Sequence, residues 1–301
     1  MALKQIKNQI AATKKTGQVT KAMESVSAVK MRKSQERAFT GRPYIRAALR
    51  ILSRVASTSD GLAHPLAQTT AGTKTLAVIV TSDKGLAGSV NSAVLKKVHE
   101  LTEEVSGEVE AICIGRKAVD AMRREGVTVL GEYQNLSDDI TLDEVTEVAN
   151  TLVNAYQTEH YQKVVVVYQN FLSTFEQQPT IRQVLPVDPA ELHYMRQGIV
   201  PTRGHYSEQT EAPDEPTDYK VEPNTHEVLN ALIPQLVQIM VYHAILESKA
   251  CEHSARMVAM KNATDKSKEV AKALTLVFNK QRQAAITAEV SEITGGIEAM
   301  K

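Results

Sequence analysis

The sequence has few of the residues that build a large aromatic core or a disulfide framework. Its 301 residues include no Trp, four Phe, nine Tyr and two Cys. A large globular core usually uses more aromatic side chains, whereas a narrow helical seam needs fewer. Cys113 and Cys251 lie far apart in the sequence, so neither a disulfide framework nor a metal motif is indicated. A reducing compartment is the natural inference.

Long apolar runs and catalytic motifs are also missing. No apolar run exceeds five residues, so no membrane span is predicted. The segment 82–88 lies where a nucleotide-binding loop would lie, but it is neither G-x-G-x-x-G nor a P-loop. A tight strand-to-helix turn is the better interpretation. The eight histidines show no metal spacing, and we interpret His243 and His253 as surface or seam residues of a helix. No catalytic residue, cofactor site or metal site is predicted.

Charge is balanced over the whole chain but concentrated at its start. The formal net charge is +0, yet residues 1–50 hold twelve Lys or Arg against two acids, Glu24 and Glu36. Such an excess commonly faces an anionic partner, whether nucleic acid, anionic lipid or an acidic protein surface.

The first forty residues have the pattern of a coiled-coil helix. Leu3, Ile6, Ile10, Thr13 and Gly17 alternate spacings of three and four. We expect the register then to shift onto Val19, Ala22 or Met23, Val26 and Val29. A kink is expected at Pro43, because the period resumes after it at Ile45, Ala48, Leu52 and Val55.

The C-terminal third predicts a longer helix still. Residues 235–294 contain no Gly and no Pro, which corresponds to roughly 90 Å of helix. A length of this kind is typical of a coiled coil. The predicted seam is small and weakly apolar, and it consists of Met260, Ala263, Ser267, Val270, Leu274, Val277, Gln281, Ala284, Ala288 and Ser291.

The middle of the chain has a different pattern. Short β-branched runs predict buried strands at 75–81, 109–114, 127–131 and 163–169, with one more possible at 180–187. Helical stretches are predicted between them at 92–105, 116–125 and 142–157. This alternation favours a three-layer α/β domain with a largely parallel sheet.

These segments define a fold class and four domains. We predict a long antiparallel two-helix coiled coil made by the N- and C-terminal segments, with a Rossmann-like α/β domain inserted between them. The boundaries are 1–57 for the first helix, 74–195 for the α/β domain, 196–223 for an acidic, proline-rich linker and 224–301 for the last helix. Because the last helix is the longer one, about 20 Å of it should project unpaired.

The most specific motifs lie on the two long helices. The segments 20–26 (TKAMESV) and 30–35 (KMRKSQ) lie on the first, while 256–265 (RMVAMKNATD) and 279–287 (NKQRQAAIT) lie on the last. Together they resemble the gamma subunit of F-type ATP synthases, and the resemblance covers essentially the whole chain. The region 105–225 is much less specific.

The resemblance implies a rotor and no catalysis in this chain. In that family the two helices form a central shaft inside a ring of alpha and beta subunits. The α/β domain lies against the epsilon subunit and the membrane c-ring, and proton flow turns ring and shaft. It also implies a peripheral location on the cytoplasmic side of a bacterial inner membrane, without a span and without nucleic acid.

The resemblance further implies a set of residues that contact the alpha and beta subunits. Met23 matches a shaft position facing the catalytic subunit, and the basic residues near it match those facing an acidic loop of beta. The C-terminal matches belong to the contact with the beta catch loop. The complete set is Lys21, Met23, Lys30, Arg32, Lys33, Arg256, Arg282, Gln283, Thr287 and Glu289.

Two other functions are compatible with parts of the sequence. A basic coiled-coil adaptor for nucleic acid or an anionic membrane surface would explain the first helix, and its binding would depend on salt. A Rossmann-like enzyme with helical arms would explain the middle domain, although the nucleotide fingerprint is missing.

Overall fold

The computed structural model describes residues 3–40, 47, 51, 64–105, 107–158, 161–187 and 224–299. Helix α1 spans Leu3–Thr40 and is followed by a short 3-10 turn at Pro65–Ala67. The remaining elements are β1 Lys74–Val80, α2 Val90–Glu104, β2 Val109–Ile114, α3 Arg116–Glu125, β3 Val129–Tyr133, α4 Leu142–Thr158, β4 Tyr161–Phe171, β5 Gln177–Leu185 and α5 Thr225–Ala299.

The five strands form one mixed sheet in the order β3-β2-β1-β4-β5. The first three pairings are parallel, and only β4 with β5 is antiparallel. The parallel pairings need helical crossovers, which α2, α3 and α4 supply. All predicted strands and helices of this region are confirmed, with boundaries that differ by a few residues at most.

The sheet is buried on both faces, and its side chains alternate between two apolar cores. From β1, Leu76 and Val78 enter a core with α4 and α5, whereas Ala77 and Ile79 enter a core with α2 and α3. The period of two in a strand produces this alternation. The result is the three-layer domain expected from the sequence.

Helix α5 begins at an N-cap formed by Asn224. The Asn224 side-chain oxygen accepts the Glu227 backbone N–H at 2.8 Å, and the Asn224 amide donates to the Glu227 carboxylate at 2.9 Å. Length and composition alone would let α5 cross a membrane, since it contains a window of mean hydropathy 1.5. That window is 56% buried, and Ile233, Val237 and Val241 pack in the first core, as in the core helix of a globular domain.

The chain divides into two compact units. The two-helix unit comprises Met1–Ser27 and Arg256–Lys301, and the α/β unit comprises Ala28–Ala255. In the two-helix unit, a Cβ built on Gly17 would lie 3.3 Å from the Ser267 side chain, and Thr20 bonds Thr264 at 2.7 Å. Because α5 numbers fall as α1 numbers rise, the helices run antiparallel, as predicted.

The predicted register shift on α1 is wrong. Val19 and Val26 are 52% and 56% exposed, whereas Thr20 and Ser27 are buried. The spacing of three and four therefore continues unbroken from Ile6 through Gly17 to Ser27. After the buried Ile6, the seam continues through the small or hydroxyl residues Gly17, Thr20 and Ser27, which let the two helices approach closely, and the valines face outward.

The predicted seam on α5 is wrong at Val270 and Val277, although the predicted Leu274 and Gln281 are half-buried. Ala271 is buried and Phe278 is half-buried, whereas the predicted Val270 and Val277 are 37% and 46% exposed. The residue that follows Ser267 in the seam is therefore Ala271, four positions later, and not Val270, three positions later, as the apolar pattern predicted. Beyond it, every described side chain from Ile286 to Ala299 is exposed, consistent with an unpaired end of about 20 Å.

Several expectations lie outside the described residues. These are the kink at Pro43, the end of the first helix near residue 57 and the linker 196–223. The four domain boundaries accordingly remain predictions.

Candidate functional site

The carboxyl ends of the parallel strands are where a sheet of this kind usually binds a ligand. Here the backbone N–H groups at the start of α3 are already occupied. Asp83 accepts the Arg116 N–H at 3.0 Å, and the Thr81 hydroxyl accepts the Ala118 N–H at 2.8 Å. These are the groups that a phosphate would need.

The loop 82–88 also contacts the residues that follow β3. The other Asp83 oxygen accepts the Asn135 N–H at 3.0 Å. Gly115 has φ 91°, and a Cβ there would lie 2.1 Å from the Thr81 carbonyl oxygen. Segment 82–88 is therefore a structural turn that joins three strand ends, as interpreted from the sequence.

Helix α5 covers the crevice above these strand ends. Ile245, Ser248, Lys249 and Glu252 face Leu136 there and leave a void of only about 20 Å³. Nothing larger than one or two waters fits such a space. Among the described residues, moreover, no group of three or more His, Cys, Asp or Glu could hold a metal ion.

The interpretation of His243 and His253 as surface or seam residues is wrong. His243 is 2% exposed and lies 3.4 Å from the Glu247 carboxylate, which is equally buried. Burial raises the pKa of the neighbouring Tyr168 well above its usual value, and the Glu247 charge raises it further. His253 is 4% exposed and lies against Asp138. Both histidines are internal polar residues on the face of α5 that meets the sheet domain.

A polar cluster surrounds Asp138, in the loop 134–141 between β3 and α4. Its carboxylate accepts Lys30 Nζ at 2.6 Å and contacts His253 Nε2 at 2.9 Å. Lys249 Nζ lies 3.7 Å away. Although burial by itself raises the pKa of Asp138, the bonds from Lys30 and His253 hold that pKa well below its usual range. No local sequence signal predicts this cluster, because Lys30 and Asp138 are 108 positions apart.

The predicted contact residues of α1 lie along an accessible helix. Lys21, Arg32 and Lys33 are exposed, and Met23 is half-buried. Lys21 forms an exposed ion pair with Glu24 at 3.0 Å, a kind of pair worth little in water. Lys30 is exposed too, but its ammonium is already paired with Asp138.

The predicted contact residues of α5 fall into two groups. Arg256 is buried, with 8% of its surface exposed, and it alone forms the first group of these predicted α5 residues. Arg282, Gln283, Thr287 and Glu289 are all exposed and lie near or within the unpaired end. The structure therefore collects most of the C-terminal set on one accessible stretch, while Lys30 and Arg256 lie apart from it.

An open groove of about 800 Å³ runs along the two-helix unit. Small seam residues such as Gly17, Ser267 and Ala271 form its floor, and its rim carries Lys14, Lys21, Lys268 and Lys272. Apolar side chains also face solvent on α5 beyond the seam, with Leu276, Ile286, Val290, Ile293 and Ile297 between 52% and 64% exposed. The unit therefore presents apolar and basic surface instead of a closed site.

Comparison with protein families matches residues 2–300 to the ATP synthase family model. The ATP synthase gamma chain of Pelotomaculum thermopropionicum is 37% identical over 300 residues, covering 100% of this chain and 99% of the relative. The gamma chain of Symbiobacterium thermophilum is 38% identical, covering 99% and 98%.

Solved structures agree with this similarity. The central stalk and c-ring structure of the Tetrahymena thermophila mitochondrial ATP synthase contains a chain 26% identical, with TM-score 0.57, covering 81% of this chain and 99% of that one. A chain of the Euglena gracilis mitochondrial ATP synthase, solved with OSCP, F1 and c-ring, reaches TM-score 0.65 at 18% identity, covering 99% and 94%. The second likeness concerns the fold alone.

Proposed function

The chain belongs to the ATP synthase gamma-chain family, and from this premise we propose that it is the central rotor subunit of a proton-translocating F-type ATP synthase. It transmits torque between a membrane c-ring and a catalytic ring of alpha and beta subunits. Its α/β unit lies at the foot of the stalk, where it meets the epsilon subunit and the c-ring. The division into 1–57, 74–195, 196–223 and 224–301 is part of the same proposal.

The observation that carries this proposal is the contrast between an α/β unit whose ligand crevice is filled and an exposed two-helix unit. The sheet's ligand crevice is filled by α5, so the domain has no room for a substrate there. The end of α5 carries Ile286, Val290, Ile293 and Ile297 at spacings of four, three and four, all exposed. This spacing is the one by which a helix packs against a second helix, yet these side chains are exposed. Exposed apolar rows of this length mark an interaction surface.

The surface suits a surrounding protein ring better than a single fixed partner. Its apolar side chains project singly from a slender helix, and they are interleaved with polar ones such as Gln283 and Thr287. Contacts of this kind can form and break as the helix turns. We propose that the contact set consists of the residues named from the sequence, with Met23 and the C-terminal group at its centre.

The chain is proposed to be non-catalytic by itself and peripheral to the membrane, on the cytoplasmic side of a bacterial inner membrane. Its two named relatives are bacterial gamma chains of almost the same length. No observation favours the alternative of a nucleic-acid or membrane-surface adaptor.

Co-expression with alpha and beta subunits tests the proposal. The tagged chain should recover alpha and beta together, and ATP hydrolysis should require the assembled complex. The isolated chain should show no turnover. Recovery of the chain alone, or turnover by the pure chain that a substitution within it abolishes, would contradict the proposal.

A further inference from the structure

The loop 134–141 is bound by side chains from both long helices within the α/β unit. On the α1 side, Lys30 binds the Asp138 carboxylate at 2.6 Å, and Arg37 donates to the Asp138 carbonyl at 2.7 Å. Arg37 also pairs with the Asp139 carboxylate. Lys30 and Arg37 are seven positions apart, so they project from the same face of α1.

Helix α5 holds the same loop from the other side. His253 contacts the Asp138 carboxylate at 2.9 Å, and Lys249 donates to the Leu136 carbonyl at 2.8 Å. Tyr242 reaches the Ile140 carbonyl at 3.4 Å. These three α5 residues are spaced by seven and four, which places them on one helix face.

Asp138 is the one residue of this loop whose carboxylate contacts both helices among the described residues. Its side chain is 33% exposed, whereas the side chains of Lys249 and His253 are 12% and 5% exposed. Partial burial strengthens such charge-assisted bonds relative to those on an open surface. Within the described part of the chain, by contrast, Asp139 forms its ion pair with Arg37, and its side chain is 66% exposed.

We propose that Asp138 is the joint that fixes the sheet domain to both long helices, so that torque received by the domain is passed to the shaft through two attachments instead of one. Asp138 is a positioning residue, since it acts through the helices and not on a substrate. Both helices continue by chain connectivity into the two-helix unit. The inference rests on the rotor function proposed above.

The matched variants are Asp138→Asn and Asp139→Asn. Each removes one negative charge with almost no change of shape, in neighbouring positions of one loop. Both are made in the full chain, assembled with its alpha, beta and membrane subunits. Lys96→Cys on α2, whose native side chain is 79% exposed, supplies a handle for a bead on the sheet domain. Native Cys113 and Cys251 are buried and leave the new thiol as the reactive one.

Two measurements distinguish the proposed role of Asp138 in transmitting torque from a general role in the stability of the fold. The first is the ratio of ATP-driven proton pumping to ATP hydrolysis in membrane vesicles. The second is the width of the bead's angular distribution during a catalytic pause of the surface-fixed complex. Asp138→Asn should lower the ratio and widen the distribution while hydrolysis by the alpha-beta-gamma subcomplex persists. Asp139→Asn should change neither readout.

Hydrogen exchange keeps the proposal testable even where assembly of the variant is poor. Loss of one charge-assisted bond corresponds to roughly a tenfold shift in a local equilibrium, so amides of 134–141 should exchange roughly tenfold faster in Asp138→Asn. Exchange in β1 and β4 should stay as in the unmodified chain.

If the two variants had the same ratio of pumping to hydrolysis, the same width of the bead's angular distribution and the same amide exchange, the proposed role of Asp138 would be wrong. An equal fall of hydrolysis and pumping in Asp138→Asn would overturn it as well, because it would indicate general damage. If instead the bead on the unmodified complex did not rotate at all, the rotor proposal itself would fail, and the two failures remain distinguishable.

Discussion

The two compact units of this chain are stabilised in different ways. In the α/β unit, a five-stranded sheet is buried between helices, and side chains such as Leu76 and Leu152 are fully inaccessible. In the two-helix unit, the helices meet through Gly17, Thr20, Thr264 and Ser267, and large apolar side chains face outward. Most large apolar side chains of the first unit are buried, whereas many of those in the second are exposed.

The difference indicates where each unit finds its stability. Burial of apolar area stabilises the α/β unit on its own. A two-helix seam is narrow, and much of this one consists of small or hydroxyl side chains, so the two-helix unit buries less apolar area and gains less from its own contacts. We therefore expect the α/β unit to behave as an independent fold and the two-helix unit to depend on a surrounding partner.

The largest expected effect comes from opening a cavity in the α/β unit. Leu152→Ala removes a fully buried side chain from the core between the sheet and α5, and should cost about 2–5 kcal/mol. Leu274→Ala in the half-buried seam is the matched control. Urea unfolding of the purified chain, followed by circular dichroism, measures both. A cost for Leu274→Ala as large as that for Leu152→Ala would remove the contrast between the units.

A charge placed on the exposed unit should affect coupling instead of folding. Met23 is half-buried, unbranched and uncharged, so it can contact a partner without a fixed bond. In Met23→Lys a new charge-assisted bond to a partner carboxylate, worth roughly 1.5–3 kcal/mol, would deepen one rotary position. Hydrolysis should persist while proton-driven synthesis falls disproportionately. Paired assays in vesicles decide this, and an equal fall of both, or failed assembly, would contradict it.

A smaller effect is expected from the hydroxyl pair in the seam. Thr264 shares a 2.7 Å hydrogen bond with Thr20 across the helices, while Thr275 bonds only the Ala271 carbonyl of its own helix. Thr264→Val should cost about 0.5–1.5 kcal/mol, and Thr275→Val should cost less. Hydrogen exchange of the seam amides distinguishes them, and an equal response would show that the cross-helix bond contributes little.

Acid should weaken the α/β unit through Asp138. Its pKa is raised by burial but lowered more by Lys30 and His253, so the folded-state pKa lies below the ordinary 3.8. The stabilisation is therefore present above that value and is lost as the pH falls below it. Urea midpoints measured from neutral pH down into this acid range should fall less steeply for Asp138→Asn than for the unmodified chain. Parallel pH profiles would contradict this account.

The smallest expected effect is that of thiol reagents. Burial, together with a smaller contribution from the Glu132 charge, raises the pKa of Cys113 to about 12. At pH 8 only about one Cys113 in ten thousand would then be a thiolate. Burial also raises the pKa of Cys251 well above its usual value. Native chain should resist labelling, and Cys113→Ala with Cys251→Ala should leave the redox response of the complex unchanged. Rapid labelling without denaturant would contradict both statements.

The elements of the α/β unit were predictable because their patterns are local. The runs at 109–114 and 163–169 are short and β-branched, and a buried parallel strand requires that composition. The N-cap residue Asn224, with Glu227 three positions later, is likewise a local signal for the start of a helix.

The seam and the polar contacts were less predictable for physical reasons. Apolar periodicity favours Val19, Val26 and Val277 as seam residues, but the helices meet through smaller side chains and leave these valines outside. The Asp138 cluster joins residues more than a hundred positions apart, so only the tertiary fold brings it together. The seven-residue spacing of Lys30 and Arg37 hints at a shared face but does not identify its partner.

Rotation of the α/β unit during ATP hydrolysis is the most direct test of the central claim. A bead attached at Lys96→Cys would be followed on a complex fixed to a surface through its beta subunits. We expect stepwise rotation in one direction, driven by ATP and stopped when the two-helix unit is cross-linked to the ring. Steady hydrolysis with an immobile bead, in a complex shown to contain this chain, would contradict it.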